Sequence, residues 1–219
     1  DGQNRFSPHY RQGNKLLAVS EYRETDFTIF LDTDVVVWQP FSLEEITIEN
    51  TVCAAPEGVR SWPVDPNENW PDVYRLYNLE VPTRNVRLAK TGGSSKPYFN
   101  GGVVAFPNKV DGLDCSFGQL WLETAQELDH SDVLITSRPW LDQVSLPISI
   151  ARSGLDWTAL SINWNLSLSR PFGGQSEMSK DKKDRANRAI AKVNKVEPYF
   201  LHYHKPKFFW GTKFEGYLD

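Results

Sequence analysis

The chain alternates between short unbroken apolar runs and longer stretches whose apolar residues recur at helical spacing. Residues 27–31, Phe-Thr-Ile-Phe-Leu, are a continuous β-branched and aromatic run. Such a run reads as a central strand covered on both faces. It stops at Asp32-Thr33-Asp34, and Val35-Val36-Val37 follows. Residues 51–55 read as a second buried strand, ended by Pro56-Glu57-Gly58. Residues 98–106, YFNGGVVAF, read as a third, with a glycine pair near its start. Residues 160–168 and 199–203 are two further strand candidates. Helical patterns fall at 15–22, 72–79 and 116–128, at the start of a segment from 140 to 146, and within 179–195, with a short helical turn at 43–46. Residues 1–13 carry no pattern and are expected to form an irregular arm. Residues 56–97, rich in Pro, Asn, Trp and Arg, read as a long loop or insert of the kind that carries function. Strands alternating with helices indicate an α/β layered fold, here one domain over residues 1–219.

Composition narrows the function classes. The 219 residues carry a formal net charge of -4, so the field of the whole molecule does not favour nucleic acid. No apolar run approaches the roughly 18 residues that span a bilayer, and no apolar segment near the start reads as a secretory signal. Two cysteines, Cys53 and Cys115, are too few for a disulfide framework and read as buried thiols. A reducing compartment, and hence a cytoplasmic location, is the expectation. The eight tryptophans are the unusual feature. Flat aromatic faces suit sugar rings, although packing is the commoner use of Trp62, Trp70 and Trp164 in their polar surroundings. The basic stretch SKDKKDRANRAIAK over residues 179–192 reads either as a patch for an anionic acceptor or phosphate, or as a solvated helix face with interleaved aspartates.

The chemistry concentrates at Asp32 and Asp34. In α/β sheets ligands bind beyond the carboxyl ends of the strands. Because strand residues alternate, two aspartates one residue apart can point the same way. Carboxylates aimed together repel unless a cation lies between them. Hard oxygen ligands suit Mg²⁺ or Mn²⁺, and such an ion can offset charge building on a departing diphosphate.

Several segments, in order, resemble retaining glycosyltransferases of family 8, the group containing glycogenin and bacterial galactosyltransferases. Lys15 in NKLLAVSEY resembles that family's donor-contacting basic residue, at a matching distance from Asp32. FLDTDVVV resembles its Asp-x-Asp strand, CAAPEG the next strand and YFNGGVVAF its Phe-Asn-x-Gly-Val strand. WLDQVSL resembles its Asp-Gln motif, Asn163-Trp164-Asn165 its late Trp-Asn motif, and LHYHKP the His-containing strand end that completes a metal site. The resemblance implies a single GT-A domain with a mixed, mostly parallel central sheet, moving a hexose from a UDP-sugar with retention. It implies Mn²⁺ or Mg²⁺ held by Asp32, Asp34 and His202, with His204 the alternative ligand and Asp32 also near the ribose. Lys15 and either Lys205 or Lys207 would hold the diphosphate. Asn100 and Asp142 would bond the sugar hydroxyls, and Gln143 would lie near the anomeric carbon. The acceptor is a saccharide, a lipid or a protein.

Two departures stand out. Only Tyr203 and His204 separate His202 from Lys205-Pro206, a shorter spacing than the family's, and Trp210 is displaced. The family's opening βαβ segment, which holds uracil and ribose, has no counterpart before Lys15, so the expectation is a domain lacking that segment. Two competing readings remain. In a haloacid-dehalogenase-like phosphatase Asp32 is the nucleophile and Asp34 the acid/base; that class also needs a second acidic pair, which is not found. The other is a non-catalytic sugar-binding relative.

Overall fold

The computed structural model describes residues 6, 9–63, 68–134, 138–168 and 179–218. Helix α1 (Gly13–Ser20) leads into strand β1 (Phe27–Leu31), the Asp32–Asp34 turn and β2 (Val35–Val37). A 3-10 turn at Leu43–Glu45 precedes β3 (Thr51–Pro56). Helix α2 (Trp70–Arg75) and the short hairpin β4 (Val86–Arg87) and β5 (Ser94–Ser95) follow. Strand β6 (Phe99–Pro107), α3 (Phe117–Asp129), α4 (Leu141–Ser153), β7 (Asp156–Ala159), β8 (Leu166–Ser167), α5 (Lys180–Val193) and β9 (Phe200–His202) complete the order. The architecture is α/β with mixed sheets and five helices among the described residues.

The main sheet has strand order β1-β6-β3-β7, and a second sheet has order β2-β9-β8. Strand β6 runs antiparallel to both β1 and β3, and among the described residues only β3/β7 and β8/β9 are parallel. The expected mostly parallel sheet is therefore corrected: these pairings are mainly antiparallel. The reason is that all nine residues of β6 are buried, and a strand covered on both faces reads as an unbroken apolar run whichever way it runs. The expectation for residues 27–31 is also corrected. Strand β1 is an edge of the described sheet, and four of its five residues are only half-buried.

Three apolar clusters hold the layers. On one face of the main sheet, Val104 and Phe106 of β6 meet Leu16, Trp121 and Val144 of α1, α3 and α4. Gly118 allows the closest approach there, since a Cβ on it would collide with the Val19 carbonyl of α1. On the other face Val103 and Ala105 meet Ile46, Trp164 and Phe200. A third cluster, with Leu166, Leu201 and Phe214, lies under α5 and the second sheet. Trp62, Trp70 and Trp164 are buried in these clusters; Trp62 and Trp70 stack edge to face at 4.3 Å. They pack the protein and do not offer sugar-facing surfaces.

Other expectations shift in detail. Phe6 and Tyr10 of the expected arm are buried in the first cluster, while residues 1–5 and 7–8 lie outside the described residues. The 56–97 segment carries α2 and the β4–β5 hairpin, with residues 64–67 outside the described set. The helix read over 72–79 is α2, shorter and earlier, because Asn69 caps it by accepting from the Asp72 N–H at 3.0 Å. The strand read over 160–168 is absent: Ile162–Trp164 is a 3-10 turn, only Leu166–Ser167 pair, and the neighbouring strand is β7. Leu160 and Trp164 are buried as anchors of a turn, which apolar content alone does not distinguish from a strand. Both cysteines are free; Cys53 is buried and Cys115 half-buried. No helix among the described residues is long and apolar enough to cross a membrane.

One irregularity positions the site. Ala54 pairs with Val104 but Pro56 pairs with Phe99, so β6 carries extra residues over 100–103. This bulge reverses the alternation of faces. A Cβ on Gly101 would meet Lys15 and Asp142 on the helical side, whereas one on Gly102 would meet His202 on the side of the second sheet.

Candidate active site

The Asp32–Asp34 turn follows β1 and is pinned at three points. The Asp32 N–H donates to the Gly102 carbonyl at 2.9 Å, Val35 N–H to the Asp32 carbonyl at 3.0 Å, and Tyr203 N–H to the Asp34 carbonyl at 3.1 Å. Both aspartates therefore lie in a turn rather than in a strand, and strand alternation does not govern them. Their carboxylates go to different partners.

Asp32 joins a buried ion-pair network. The Lys15 Nζ, carried by α1, lies 3.0 Å from Asp32 Oδ2 and 2.8 Å from Asp142 Oδ2. Tyr10 donates its hydroxyl to Asp142 Oδ1 at 2.9 Å and accepts from the Asp142 N–H at 3.3 Å. Asp142 sits in the first turn of α4, where the helix dipole favours a carboxylate. Burial pushes the Lys15 ammonium toward neutrality, but Asp142 and Asp32 more than reverse this, so its pKa stands above the ordinary lysine value. Burial raises the Asp32 carboxyl, and Lys15 offsets part of that rise.

Asp34 turns to the histidines of β9. The register Val35↔His202 puts them side by side. Asp34 Oδ1 lies 3.2 Å from His202 Nε2, and Asp34 Oδ2 lies 3.6 Å from His204 Nδ1. His204 adopts φ 55°, a left-handed conformation uncommon outside glycine, and its ring centroid lies 3.9 Å from that of His202. A hydrogen bond from His202, made when Nε2 carries a proton, holds the Asp34 carboxyl below the usual range against partial burial. Burial, and then His202, push the His204 imidazole down to about 4. Asp34, His202 and His204 each offer one ligand atom, all within 4.8 Å of one another.

A hydrogen-bond relay behind His202 sets its tautomer. Glu57 can only accept, so Asn100 Nδ2 donates to Glu57 Oε2 at 2.9 Å. Asn100 Oδ1 then accepts from Asn165 Nδ2 at 2.9 Å, which leaves Asn165 Oδ1 to accept from His202 Nδ1 at 3.3 Å. With its hydrogen on Nδ1, a neutral His202 presents a lone pair at Nε2 to the Asp34 carboxylate. Two acceptors 3.2 Å apart need a proton or a cation between them. The residues thus fit a divalent cation, and outer hydrogen bonds of this kind orient metal-binding histidines. Glu57→Gln removes the group that fixes the relay, because its amide can donate back to Asn100. The expected result is a 10- to 100-fold loss of Mn²⁺ affinity with little change in thermal stability, measured by titration calorimetry and melting. Unchanged affinity would mean that the relay does not set the ligand.

The remaining expected residues are less engaged. Gln143 follows Asp142 and is half-buried, and its Oε1 is buried with no hydrogen-bond partner among the described residues. Pro147 also lacks the N–H that would bond the Gln143 backbone carbonyl within α4. Lys205 and Lys207 are exposed in and beside the 3-10 turn Pro206–Phe208. Lys90 also reaches toward the histidines: it donates to Ser167 Oγ at 3.3 Å, while Ser167 Oγ lies 2.9 Å from His204 Nε2. Tyr10, Glu57, Lys90 and Ser167 carry no motif of their own; Glu57 and Lys90 fall in the long 56–97 segment, Ser167 in the strand read over 160–168, and Asn165 in the late Trp-Asn motif. Asn165 heads the triplet Asn165-Leu166-Ser167, but it is buried in the relay and does not present a glycosylation acceptor.

A family model described as the Rhodobacterales glycosyltransferase domain matches residues 2–154, more than half of the chain. The match includes Lys15, Asp32, Asp34, Glu57, Asn100, Asp142 and Gln143; the segment carrying Asn165, His202 and His204 lies beyond it. Comparison with curated proteins and with solved structures found no match.

Proposed function

The chain belongs to the Rhodobacterales glycosyltransferase domain family, and from that premise we propose that it transfers a hexose from a UDP-sugar with retention, on a GT-A fold of the family 8 kind, in a metal-dependent reaction. The observation that carries the reading is the convergence of Asp34, His202 and His204 beyond the end of β1. One carboxylate oxygen and two imidazole nitrogens favour Mn²⁺ over Mg²⁺, which prefers an all-oxygen shell. The bound ion supplies positive charge that offsets the charge of the departing diphosphate.

The chain's own residues divide the other work. Lys15 holds the Asp32 and Asp142 carboxylates in place, so both are preorganised acceptors for ribose and sugar hydroxyls. Asn100, which belongs to the relay, is assigned with Asp142 to the sugar hydroxyls. Lys205 or Lys207, both exposed, supplies a cation for the diphosphate, with Lys90 beside Ser167 a further candidate. Gln143 is assigned to the anomeric centre; its Oε1, buried and without a hydrogen-bond partner among the described residues, has no contact to give up but must turn outward to reach it. Asp32, the nucleophile in a phosphatase reading, is committed to Lys15.

Calorimetry of UDP binding with Mn²⁺ and then with EDTA tests the reading. Binding is expected with Mn²⁺ and lost with EDTA; equal binding in both would remove the metal from the proposal. Gln143→Ala should slow turnover by roughly 10²-fold or more while leaving UDP affinity nearly unchanged. The reverse pattern would assign Gln143 to the nucleotide.

A further inference from the structure

A cleft of about 460 Å³ opens between α5 and the loop that follows β4, a volume in the range of small-molecule sites. Arg185, Arg188 and Lys192 line it from α5, and Lys90 lines it from the facing loop. These three α5 positions flank the helix's half-buried apolar stripe, which lies against the third cluster. Among the described residues no aspartate or glutamate is part of the lining, although α5 carries Asp181 and Asp184. Elsewhere Arg75, Arg84, Arg138, Arg152 and Lys213 each have a carboxylate within 4.0 Å. Arg185, Arg188 and Lys192 have none among the described residues. In a chain of net charge -4, four cations around one concavity make a local field that selects anions. The floor differs in kind, being made by Leu166, Val193 and Val196.

The cleft also adjoins the candidate metal cluster. Ser167 lines its inner end and lies 2.9 Å from His204 Nε2, and Lys90 bonds to the same hydroxyl. A diphosphate has no apolar face to set on Leu166, Val193 and Val196. A sugar ring bearing a carboxylate or phosphate has both an apolar C–H face and an anion that arginine forks can grip.

We propose that this cleft is the acceptor subsite and that the acceptor is an acidic saccharide. The proposal rests on the glycosyl-transfer reading of the adjoining cluster. In that reaction the acceptor hydroxyl oxygen bonds to the anomeric carbon. The bond from that carbon to the diphosphate oxygen breaks with its electron pair going to the diphosphate, which also receives the hydroxyl proton.

The test is an amide chemical-shift titration of the full chain with glucuronic acid, glucose 6-phosphate and glucose, repeated on Arg185→Gln/Arg188→Gln/Lys192→Gln. All three residues are exposed, so the variant should fold. Acidic sugars are expected to shift the amides of residues 162–168 and 185–196, with affinity falling roughly tenfold or more in the variant. The carboxylate and phosphate arms show which anion the cleft prefers. Glucose binding as tightly as either acid, shifts outside the cleft, or undiminished affinity in the variant would overturn the proposal. Loss of UDP–Mn²⁺ affinity in the same variant would reassign the cleft to the donor and also overturn it. Failure of the underlying glycosyl-transfer reading is seen separately, as absent UDP–Mn²⁺ binding by the unaltered chain.

Discussion

Lys15→Met should destabilise the protein by about 3–5 kcal/mol, the usual result of removing one partner from a buried ion pair. The Lys15 side chain is 13% exposed and Asp142 only 4%, and one ammonium serves both Asp142 and Asp32. The substitution keeps most of the apolar stem but strands two carboxylates close together. Among the described residues Asp142 retains only the Tyr10 hydroxyl as a side-chain donor, which does not neutralise it. Urea denaturation measures the effect as a lower midpoint at unchanged slope. Lys15→Met/Asp142→Asn should recover a good part of the loss, since it removes one of the two stranded charges. A Lys15→Met protein as stable as the parent would mean that the network is hydrated and weakly coupled. The double variant falling by the simple sum of the two single effects would say the same.

Asp34→Ala should weaken Mn²⁺ binding by on the order of 100-fold or more, at or beyond the upper end of what loss of an outer hydrogen bond costs such a site. Asp34 is the only carboxylate in the cluster of three; without it, two imidazoles remain and no anionic ligand. The fold should survive. Asp34 is about one-third exposed, and its removal also ends the facing of two acceptors across 3.2 Å. Mn²⁺ titration followed by paramagnetic resonance reads binding without relying on turnover, and melting reads the fold. Mn²⁺ affinity unchanged in Asp34→Ala but lost in Asp32→Ala would move the cation to the Lys15 side of the turn. Loss in neither variant would dissolve the metal assignment.

The contrast between these two substitutions shows how much of the site could be read from residues alone. Asp32 and Asp34 stand out because two charges interrupt an apolar run, and that much is local. Their separate fates are not local. The turn rotates them apart, α1 brings Lys15 to one, and the β2–β9 register brings His202 to the other. His202 and His204, alternatives in the sequence, lie side by side for a similar reason: with a left-handed backbone at His204, its ring packs 3.9 Å from that of His202. The phosphate-binding lysine, sought at Lys205 or Lys207, gains a rival in Lys90 because the long 56–97 segment folds back to Ser167. Glu57 and Tyr10 act through contacts 43 and 132 residues away along the chain, which no local pattern encodes.

By itself the sequence determined most of the long elements. The runs at 27–31, 51–55 and 98–106 and the helices at 15–22 and 116–128 follow from which residues must leave water, and each residue carries that preference wherever it sits. It also marked the aspartate pair and the order of segments that points to glycosyl transfer. Strand direction, the edge position of β1, the bulge beside Gly101 and Gly102, and the sorting of carboxylates between lysine and histidines were decided only by the tertiary structure. Burial is nearly indifferent to direction, so apolar patterning cannot report it. Ion pairs and hydrogen-bond relays depend on distances of about 3 Å between groups far apart in the chain, and those distances exist only once the layers have packed.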